Sequence, residues 1–258
     1  MKNNSFCVCP LASGSKGNSL FVSCSNSSIL IDAGLSGVEM ERRLNLLNID
    51  PESLTAIIIT HEHSDHIKGA GILSRRYKLP LYITPKTYGA CQSIGKIEDL
   101  RFFECGTSFN IDQIQVNPFS ISHDAEDPAG LTLEYKNYKI GIATDLGIAT
   151  SLVKEHLKGS NLLYLESNHD PEMLINGPYP WHLKQRIKGR MGHLSNTDAK
   201  ILVSELRNDR LKHVILAHLS EENNCPRKAA REVSEGLNGS NIGLHVAKPN
   251  EPGMLIRL

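Results

Sequence analysis

The chain has 258 residues, with 28 lysines and arginines against 28 aspartates and glutamates and 40% hydrophobic residues, which is the composition of a globular protein. The formal net charge of zero argues against a generic nucleic-acid coat protein, which is normally strongly basic, so a charged partner must be bound through a local patch. The length is enough to bury a large core without disulfides or metal staples, and we expect one domain over residues 1–258.

Short apolar runs typical of strands alternate with amphipathic helical stretches along the chain. In chain order they predict strands at 20–23 and 28–32, a helix at 37–48, a strand at 56–60, a helix at 67–77, strands at 81–84, 115–121, 131–135 and 138–143, a helix at 150–156, a strand at 162–166, a helix at 195–207, a strand at 214–217, a helix at 227–237 and a strand at 254–258.

Local signals at two places refine this pattern. Ser195 and Asp198 resemble a capping box at the start of the fourth helix, with aspartate in place of glutamate. The dipeptide 136–137 joins the strands 131–135 and 138–143 as a hairpin. Hairpins together with β-to-α crossovers predict mixed sheets with outer helices rather than a purely parallel doubly wound sheet.

Cysteine usage and hydropathy bear on location. The six cysteines contain no C-x-x-C pair, so reduced thiols are expected rather than a zinc ribbon or a redox dithiol. The N-terminal segment lacks the apolar core of a signal peptide, and no run of about 20 apolar residues follows. We therefore expect a cytoplasmic protein that does not enter a membrane.

Four ligand-type side chains follow the strand 56–60 in the pattern H-x-H-x-D-H. A buried strand is a rigid base, and the turn after it can direct His61 and His63 toward one metal ion and Asp65 and His66 toward a second. Imidazole and carboxylate together suit Zn²⁺, Mn²⁺ or Fe²⁺. Alone, such a cluster could also be a solvated polar turn.

Four other strand-end positions also carry ligand-type residues: Asp32, His123, Asp145 and His218. Each follows a short apolar run and precedes polar or turn-forming residues. That is the expected placement for ligands held on loops above a rigid sheet. Together with the H-x-H-x-D-H cluster, these positions favour a metal centre over a solvated turn.

These residues resemble the metallo-β-lactamase superfamily, whose motifs occur in the same order over nearly the whole chain. The segments LASGSKGNS, THEHSDHIKGAG, SHDAEDP, ATDLG, ESNHD, GHLSN and AHLSEENN are most similar to its YycJ/WalJ branch. The resemblance implies an α/β fold, the αββα sandwich of two mixed sheets with outer helices. It further implies two divalent metal ions per chain, zinc or manganese with iron as an alternative, and 5′-to-3′ exonuclease activity on double-stranded DNA.

The resemblance also implies a role for each ligand-type residue. The metal ligands are His61, His63 and His123 for the first ion, Asp65, His66 and His218 for the second, and Asp145 as the bridge between them. Asp32 would orient the ligand loop through hydrogen bonds, and Asp65 would also accept a proton from the attacking water. An aspartate bridge in place of a cysteine ligand is typical of the superfamily's phosphodiesterases and of several lactonases and thioesterases, so an antibiotic-cleaving enzyme is disfavoured.

Glu166 and His193 are a further pair outside the ligand set. Glu166 ends an apolar strand, and His193 lies in Gly-His-Leu-Ser just before a predicted helix. The pair resembles that of tRNase Z, which implies a carboxylate that orients an imidazole and an imidazole that protonates the leaving oxygen. The alternative is a glutamate at the surface and a histidine that only precedes a helix.

Candidates for substrate contacts come from three segments. The loop 13–18 is rich in backbone donors and hydroxyls, so Ser13, Ser15 and Asn18 are candidates for phosphate binding, although such a loop is also an ordinary tight turn. The resemblance places His169 in the cleft, whereas core packing is the expected use of Trp181, the only tryptophan. A basic run that leads into His193 is a candidate for the phosphate backbone, with a solvated face as the alternative: Lys184, Arg186, Lys188 and Arg190.

Phosphodiester hydrolysis is the predicted reaction, and DNA is favoured as the partner by the resemblance alone. Ligand spacing does not separate DNA from RNA or from a small ester. A small-molecule phosphodiesterase, a lactone or thioester hydrolase, and a metal-binding scaffold without turnover are the alternatives. The short interval between Asp145 and His218 leaves no room for the inserted domain of the β-CASP nucleases. The oligomeric state stays open.

Overall fold

The computed structural model describes residues 5–258. The strands in that part of the chain are β1 (Phe6–Ala12), β2 (Ser19–Cys24), β3 (Ser27–Ile31), β4 (Ala56–Ile58), β5 (Leu81–Ile83), β6 (Leu100–Phe102), β7 (Phe109–Ile111), β8 (Ile114–Ser120), β9 (Ala129–Tyr135), β10 (Tyr138–Ala143), β11 (Leu162–Glu166), β12 (His213–Ala217), β13 (Gly243–Val246) and β14 (Ile256–Arg257). The helices are α1 (Gly37–Leu46), α2 (Ser64–Ile67), α3 (Ala70–Tyr77), α4 (Pro85–Ala90), α5 (Ser151–Leu157), α6 (Pro171–Asn176), α7 (Trp181–Ile187), α8 (Asn196–Leu206) and α9 (Pro226–Leu237), with a 3-10 turn at Pro51–Ser53.

The strands form two sheets of seven, in the orders β14-β1-β2-β3-β4-β5-β6 and β13-β12-β11-β10-β9-β8-β7. Antiparallel pairing joins β14 through β3 in the first sheet and β7 through β10 in the second. Parallel pairing joins β3 through β6 and β10 through β13. Both sheets are mixed, as predicted, and the hairpin between β9 and β10 is confirmed.

Alternation along the strands builds the layers. Ile58 and Tyr164 point into a core shared by the two sheets. Their neighbours point the other way, Ile57 into a cluster that includes α1 and α3 and Leu163 into one that includes α5, α8 and α9. Helices therefore cover the outer face of each sheet, and the fold is the predicted αββα sandwich. No helix within residues 5–258 combines the length and apolar character needed to cross a membrane.

Several elements were not predicted as such. β1 is a strand with all seven residues buried, so it shows a continuous apolar run rather than alternation. The short edge strands β6, β7 and β13, and the short helices α4, α6 and α7, offer too few residues for a periodic signal. The capping box is confirmed: Ser195 Oγ accepts from the Asp198 backbone N–H at 3.1 Å, and Asp198 Oδ2 accepts from the Ser195 N–H at 3.4 Å.

Candidate active site

The ligand-type residues lie on loops that follow strand ends of both sheets. Asp32 follows β3, and His218 follows β12. Both residues, together with Asp145 after β10, have left-handed backbone conformations, with φ of 62° for Asp32, 53° for His218 and 57° for Asp145. Such a conformation costs a non-glycine residue about 1–3 kcal/mol, and it persists only where surrounding contacts enforce it. The sharp turns point to a functional requirement at these three positions.

The first ligand group contains His61, His63 and His123, whose ligand atoms lie within 4.8 Å of one another. His63 Nδ1 is 3.3 Å from His123 Nε2. Two further ring nitrogens have protein partners: His61 Nδ1 is 3.1 Å from Thr60 Oγ1, and His123 Nδ1 donates to the Gly192 carbonyl at 3.3 Å. Burial, followed by the neighbouring histidines, holds the pKa of His61 well below its usual value. A neutral imidazole is the form that binds a metal ion.

The second group contains Asp65, His66 and His218, again within 4.8 Å. Asp65 Oδ2 is 3.6 Å from His66 Nε2 and 3.7 Å from His218 Nε2. His66 Nδ1 donates to Asp32 Oδ2 at 2.8 Å, and Thr60 Oγ1 donates to the same oxygen at 2.8 Å. Asp32 thus lies behind His66 and fixes its orientation, which directs Nε2 toward the other two ligands.

Asp145 lies between the two groups. Its Oδ2 is 3.4 Å from His66 Nε2, and the ligand atoms of His61, His66 and Asp145 are also within 4.8 Å of one another. Both Asp145 Oδ2 and His61 Nε2 are buried and lack a hydrogen-bond partner among the described residues. A buried carboxylate oxygen without a partner is strongly unfavourable unless a cation lies beside it. This mixed nitrogen and oxygen donor set fits divalent zinc or manganese.

Glu166 is completely buried, which removes the alternative of a glutamate at the surface. Its Oε1 accepts from His193 Nδ1 and His218 Nδ1, both at 2.8 Å. Its Oε2 accepts from the backbone N–H groups of Leu146 at 3.0 Å and Leu194 at 3.1 Å. One carboxylate therefore orients two imidazoles, and its link to His218 had not been predicted from the sequence.

The charges around Glu166 are complementary. Burial alone would raise the pKa of Glu166, but the nearby imidazoles of His193 and His218 hold it well below its usual value. Burial lowers the pKa of His193, whereas the Glu166 carboxylate raises it. The upward effects together outweigh burial, so the pKa of His193 is above its usual value. Since Nδ1 of His193 donates to Glu166, Nε2 is the nitrogen left for a ligand in the cleft that His193 lines. This is the arrangement of an oriented proton donor.

The loop 13–18 supports the ligands more than it forms a phosphate cradle. Ser13 is buried, and its Oγ accepts from the backbone N–H of His218 at 2.7 Å. Asn18 is also buried, and its Nδ2 donates to Asp65 Oδ2 at 3.0 Å. Only Ser15 of the three lines the cleft, which has a volume of about 190 Å³.

The basic run is divided between three environments. Lys184 Nζ donates to the carbonyls of Ile175 and Gly177, both at 2.7 Å, so it holds the end of α6 rather than facing the cleft. Arg186 lines the cleft and pairs with Asp124 there. The last two members, Lys188 and Arg190, line a separate groove of about 330 Å³.

Two predicted positions differ from expectation. His169 is only 3% exposed, and the neighbouring Asn168 lines the cleft in its place. Trp181 is 62% exposed, so the expected core packing is wrong. It begins α7, a helix without a buried residue that lies outside the apolar clusters of the sandwich.

Comparison with known proteins extends this description. The domain family described as the beta-lactamase superfamily domain matches residues 27–218. The chain is 41% identical over 237 residues to exodeoxyribonuclease YycJ of Bacillus anthracis, covering 91% of this chain and 90% of that protein. It is 37% identical over 241 residues to exodeoxyribonuclease WalJ of Streptococcus pneumoniae, covering 92% and 90%. Among solved structures, the metallo-β-lactamase fold protein YhfI from Bacillus subtilis superposes with a TM-score of 0.76, over 99% of this chain and 100% of that one. The two sequences are 15% identical, so the similarity is one of fold.

Proposed function

This chain belongs to the metallo-β-lactamase superfamily of metal-dependent hydrolases, and within it we propose a dinuclear phosphodiesterase that degrades double-stranded DNA from 5′ ends. The similarity to two exodeoxyribonucleases, over 91% and 92% of this chain, supports the DNA substrate. The observation that carries the hydrolytic chemistry is the convergence of two ligand groups on the partnerless Asp145 Oδ2, next to a histidine oriented by Glu166. The 5′-to-3′ direction is supported only by the motif resemblance.

The metal ligands are proposed as follows: His61, His63 and His123 for one ion, Asp65, His66 and His218 for the other, and Asp145 for both. Two divalent cations, when bound, would activate water and neutralise charge that develops on the phosphate oxygens. Asp32, Ser13 and Glu166 would keep these ligands in position through the hydrogen bonds described above.

Proton transfer falls to His193 and Asp65. The sugar oxygen that leaves phosphorus must be protonated, and His193 lines the cleft with its Nδ1 held by Glu166. Asp65 has 21% of its side chain exposed, whereas Asp145 has 3%. Because Asp65 is the more exposed of the two carboxylates, we propose that it, rather than Asp145, accepts a proton from the attacking water.

The lining of the cleft favours a phosphate ester over a lactone or thioester. Arg186 lies in the cleft wall and pairs with Asp124, and Ser15 lies across from the His193 segment. A phosphate can replace Asp124 as the partner of the guanidinium, because two oxygens of either anion can accept both hydrogen bonds of the planar arginine fork. Leu183 and Ile187 also line the cleft, so the preference for a phosphate rests on Arg186 and the polar groups near it rather than on the whole wall.

Product analysis on end-labelled duplex DNA tests the proposal. With Zn²⁺ or Mn²⁺ present, 5′-labelled duplex should release labelled mononucleotide or short products at the earliest times, and 3′-labelled duplex should shorten progressively. Products that shorten from the 3′ end would refute the direction. Activity confined to small phosphodiesters or to lactones and thioesters would refute the nuclease.

The proton donor can be tested separately from metal binding. His193→Ala should slow DNA cleavage by about 10²–10⁴-fold, the usual range for loss of a general acid. Bis-p-nitrophenyl phosphate has a good leaving group that needs little protonation, so its hydrolysis should fall much less. His245, a half-buried histidine of the edge strand β13 that lines a different cavity, gives the matched control His245→Ala. An equal defect on both substrates would assign His193 to phosphate binding or ligand support instead.

A further inference from the structure

The segment 181–190, which we call the α7 ridge, lies between two grooves. On one side, Leu183, Arg186 and Ile187 line the cleft that contains His193. On the other side, Lys188 and Arg190 line the outer groove, together with residues of α5 and α8. The ridge therefore separates the catalytic cleft from a second concave surface.

The outward face of the ridge presents an aromatic ring. Trp181 and Lys188 are seven positions apart, which is about two turns of helix, so they lie on the same face of the ridge. Leu183 and Ile187 lie on the opposite face. Lys188 Nζ is 5.5 Å from the centre of the Trp181 ring, and 62% of Trp181 is exposed. An exposed tryptophan of this kind has no packing role in the fold.

The two cations of the ridge that line the outer groove, Lys188 and Arg190, are free to bind anions. Within residues 5–258, neither Lys188 nor Arg190 forms an ion pair, whereas Glu205 in the same groove pairs with Lys154 at 2.6 Å. Asp198, the other acid of the groove, is engaged in the capping box of α8. A flat exposed ring with unpaired cations is the chemistry by which proteins hold an unpaired nucleic-acid strand: bases stack on the ring, and phosphates meet the cations.

We infer that the outer face of the α7 ridge binds the strand complementary to the one being cleaved, with Trp181 stacked on an unpaired base and Lys188 and Arg190 against its phosphates. The inference rests on the proposed function, because it requires a duplex end whose scissile strand enters the cleft. The ridge then divides the two strands, one on each side. Its positive charge complements the DNA: residues 171–192 contain four basic residues and one acidic residue in a chain of zero net charge.

The single tryptophan allows a direct test, because the intrinsic tryptophan fluorescence of this chain reports only on Trp181. Zn²⁺-loaded protein would be titrated with a duplex whose terminal linkages are phosphorothioates, which slow cleavage. Stacking should quench the fluorescence. An abasic nucleotide at the 3′ end of the complementary strand should abolish the quenching, and an abasic nucleotide at the 5′ end of the scissile strand should leave it intact.

Two sets of variants add a measurement of affinity. Trp181→Ala should weaken binding of the same duplex by about 5- to 100-fold, the range for loss of one base-stacking contact. Phe102 is an exposed aromatic on an edge strand, 55% exposed, and Phe102→Ala is the matched control expected to bind normally. Replacing Lys188 and Arg190 by alanine should reduce the log–log salt slope of DNA binding by about 0.7 to 0.9 per residue. The matched control is Lys158→Ala, at a 73% exposed lysine just after α5, which should leave the slope unchanged.

The outcomes separate this inference from the proposed function. DNA that binds and is cleaved without any change in tryptophan fluorescence would overturn the strand path and leave the nuclease intact. Quenching that depends on the scissile strand would also overturn it. Failure to bind or cleave DNA at all would refute the proposed function and this inference with it.

Discussion

Replacing Glu166 by glutamine should damage both the proposed metal centre and the proposed proton donor, because one carboxylate orients His218 of the first and His193 of the second. Glu166 accepts four hydrogen bonds, two from imidazoles on Oε1 and two from backbone N–H groups on Oε2. Glutamine has only one acceptor oxygen. In either orientation of the amide, an NH₂ group would face two donors.

The magnitude follows from those lost contacts. If the NH₂ faces Leu146 and Leu194, two buried backbone donors lose their acceptor, at about 1–3 kcal/mol each. If it faces His193 and His218, their Nδ1 atoms must become acceptors, and the proton moves to Nε2, where His218 should bind metal. Loss of an orienting partner of this kind lowers metal affinity by about 10- to 100-fold. We therefore expect Glu166→Gln to lose about 2–6 kcal/mol of stability or its second metal ion.

Three measurements on one protein preparation test this. Metal content would be followed by elemental analysis against increasing chelator, stability by urea unfolding, and activity on DNA and on bis-p-nitrophenyl phosphate. His193→Ala, which leaves the His218 contact in place, should keep both metals. Glu155→Gln, at a 77% exposed position on α5, is the matched surface control. Normal metal affinity and normal stability in Glu166→Gln would show that the shared carboxylate does not hold these imidazoles.

Three further predictions concern other parts of the molecule. Elemental analysis should find two metals per chain, and Asp145→Ala should lower metal content and activity together, whereas a reconstituted wild-type value of one or zero would exclude the dinuclear site. Arg186→Ala should lower the log–log salt slope of DNA binding by about 0.9. Lys184→Ala should leave that slope unchanged but lower the melting temperature, because Lys184 ties α6 to α7. A change of slope in Lys184→Ala would contradict the different roles given to these two residues. Hydrogen bonds from Arg42 lower the pKa of Glu39 from 4.5 to about 2, so its stabilisation is complete above pH 4.5 and is lost as the pH falls toward 2. Urea unfolding should accordingly find Glu39→Gln about 1 kcal/mol less stable at neutral pH, after allowance for solvent screening. This difference in stability should shrink as the pH falls toward 2 and vanish below it. A difference that stays constant with pH would contradict the assignment.

The cluster of ligand-type residues was predictable because its members carry their own local signals. His61 and His63 follow an apolar strand in a dense motif, and Asp32, Asp145 and His218 each end an apolar run. A strand fixes where its last residue lies, so a ligand at a strand end can be located from the chain pattern alone. The left-handed backbone of the last three could not be predicted in this way, because the contacts that enforce it come from other strands.

The double role of Glu166 needed the structure for the same reason. Its partners His193 and His218 are 27 and 52 positions away along the chain. His218 meets it because β11 and β12 pair in parallel. His193 meets it because the backbone N–H of Asn168, just after β11, donates to the Leu194 carbonyl at 2.9 Å. Trp181 was misassigned because a single large apolar residue normally belongs to a core. Its true environment depends on α6 and α7 lying outside the sandwich, which a helix of seven residues does not reveal by periodicity.

The α7 ridge also fixes the position of His193, the proposed proton donor. The backbone N–H of His193 donates to the carbonyl of Ile187 at 2.8 Å. A Cβ at Gly192 would lie 2.1 Å from that carbonyl oxygen, and a Cβ at Gly147, two residues after Asp145, would lie 2.4 Å from the backbone of Arg190. These close approaches exclude side chains, so the end of the ridge is fixed against the loop that carries Asp145. A strand held along the ridge is thereby placed in a defined position relative to both His193 and Asp145, which is what a proton donor needs in order to act on one particular leaving oxygen.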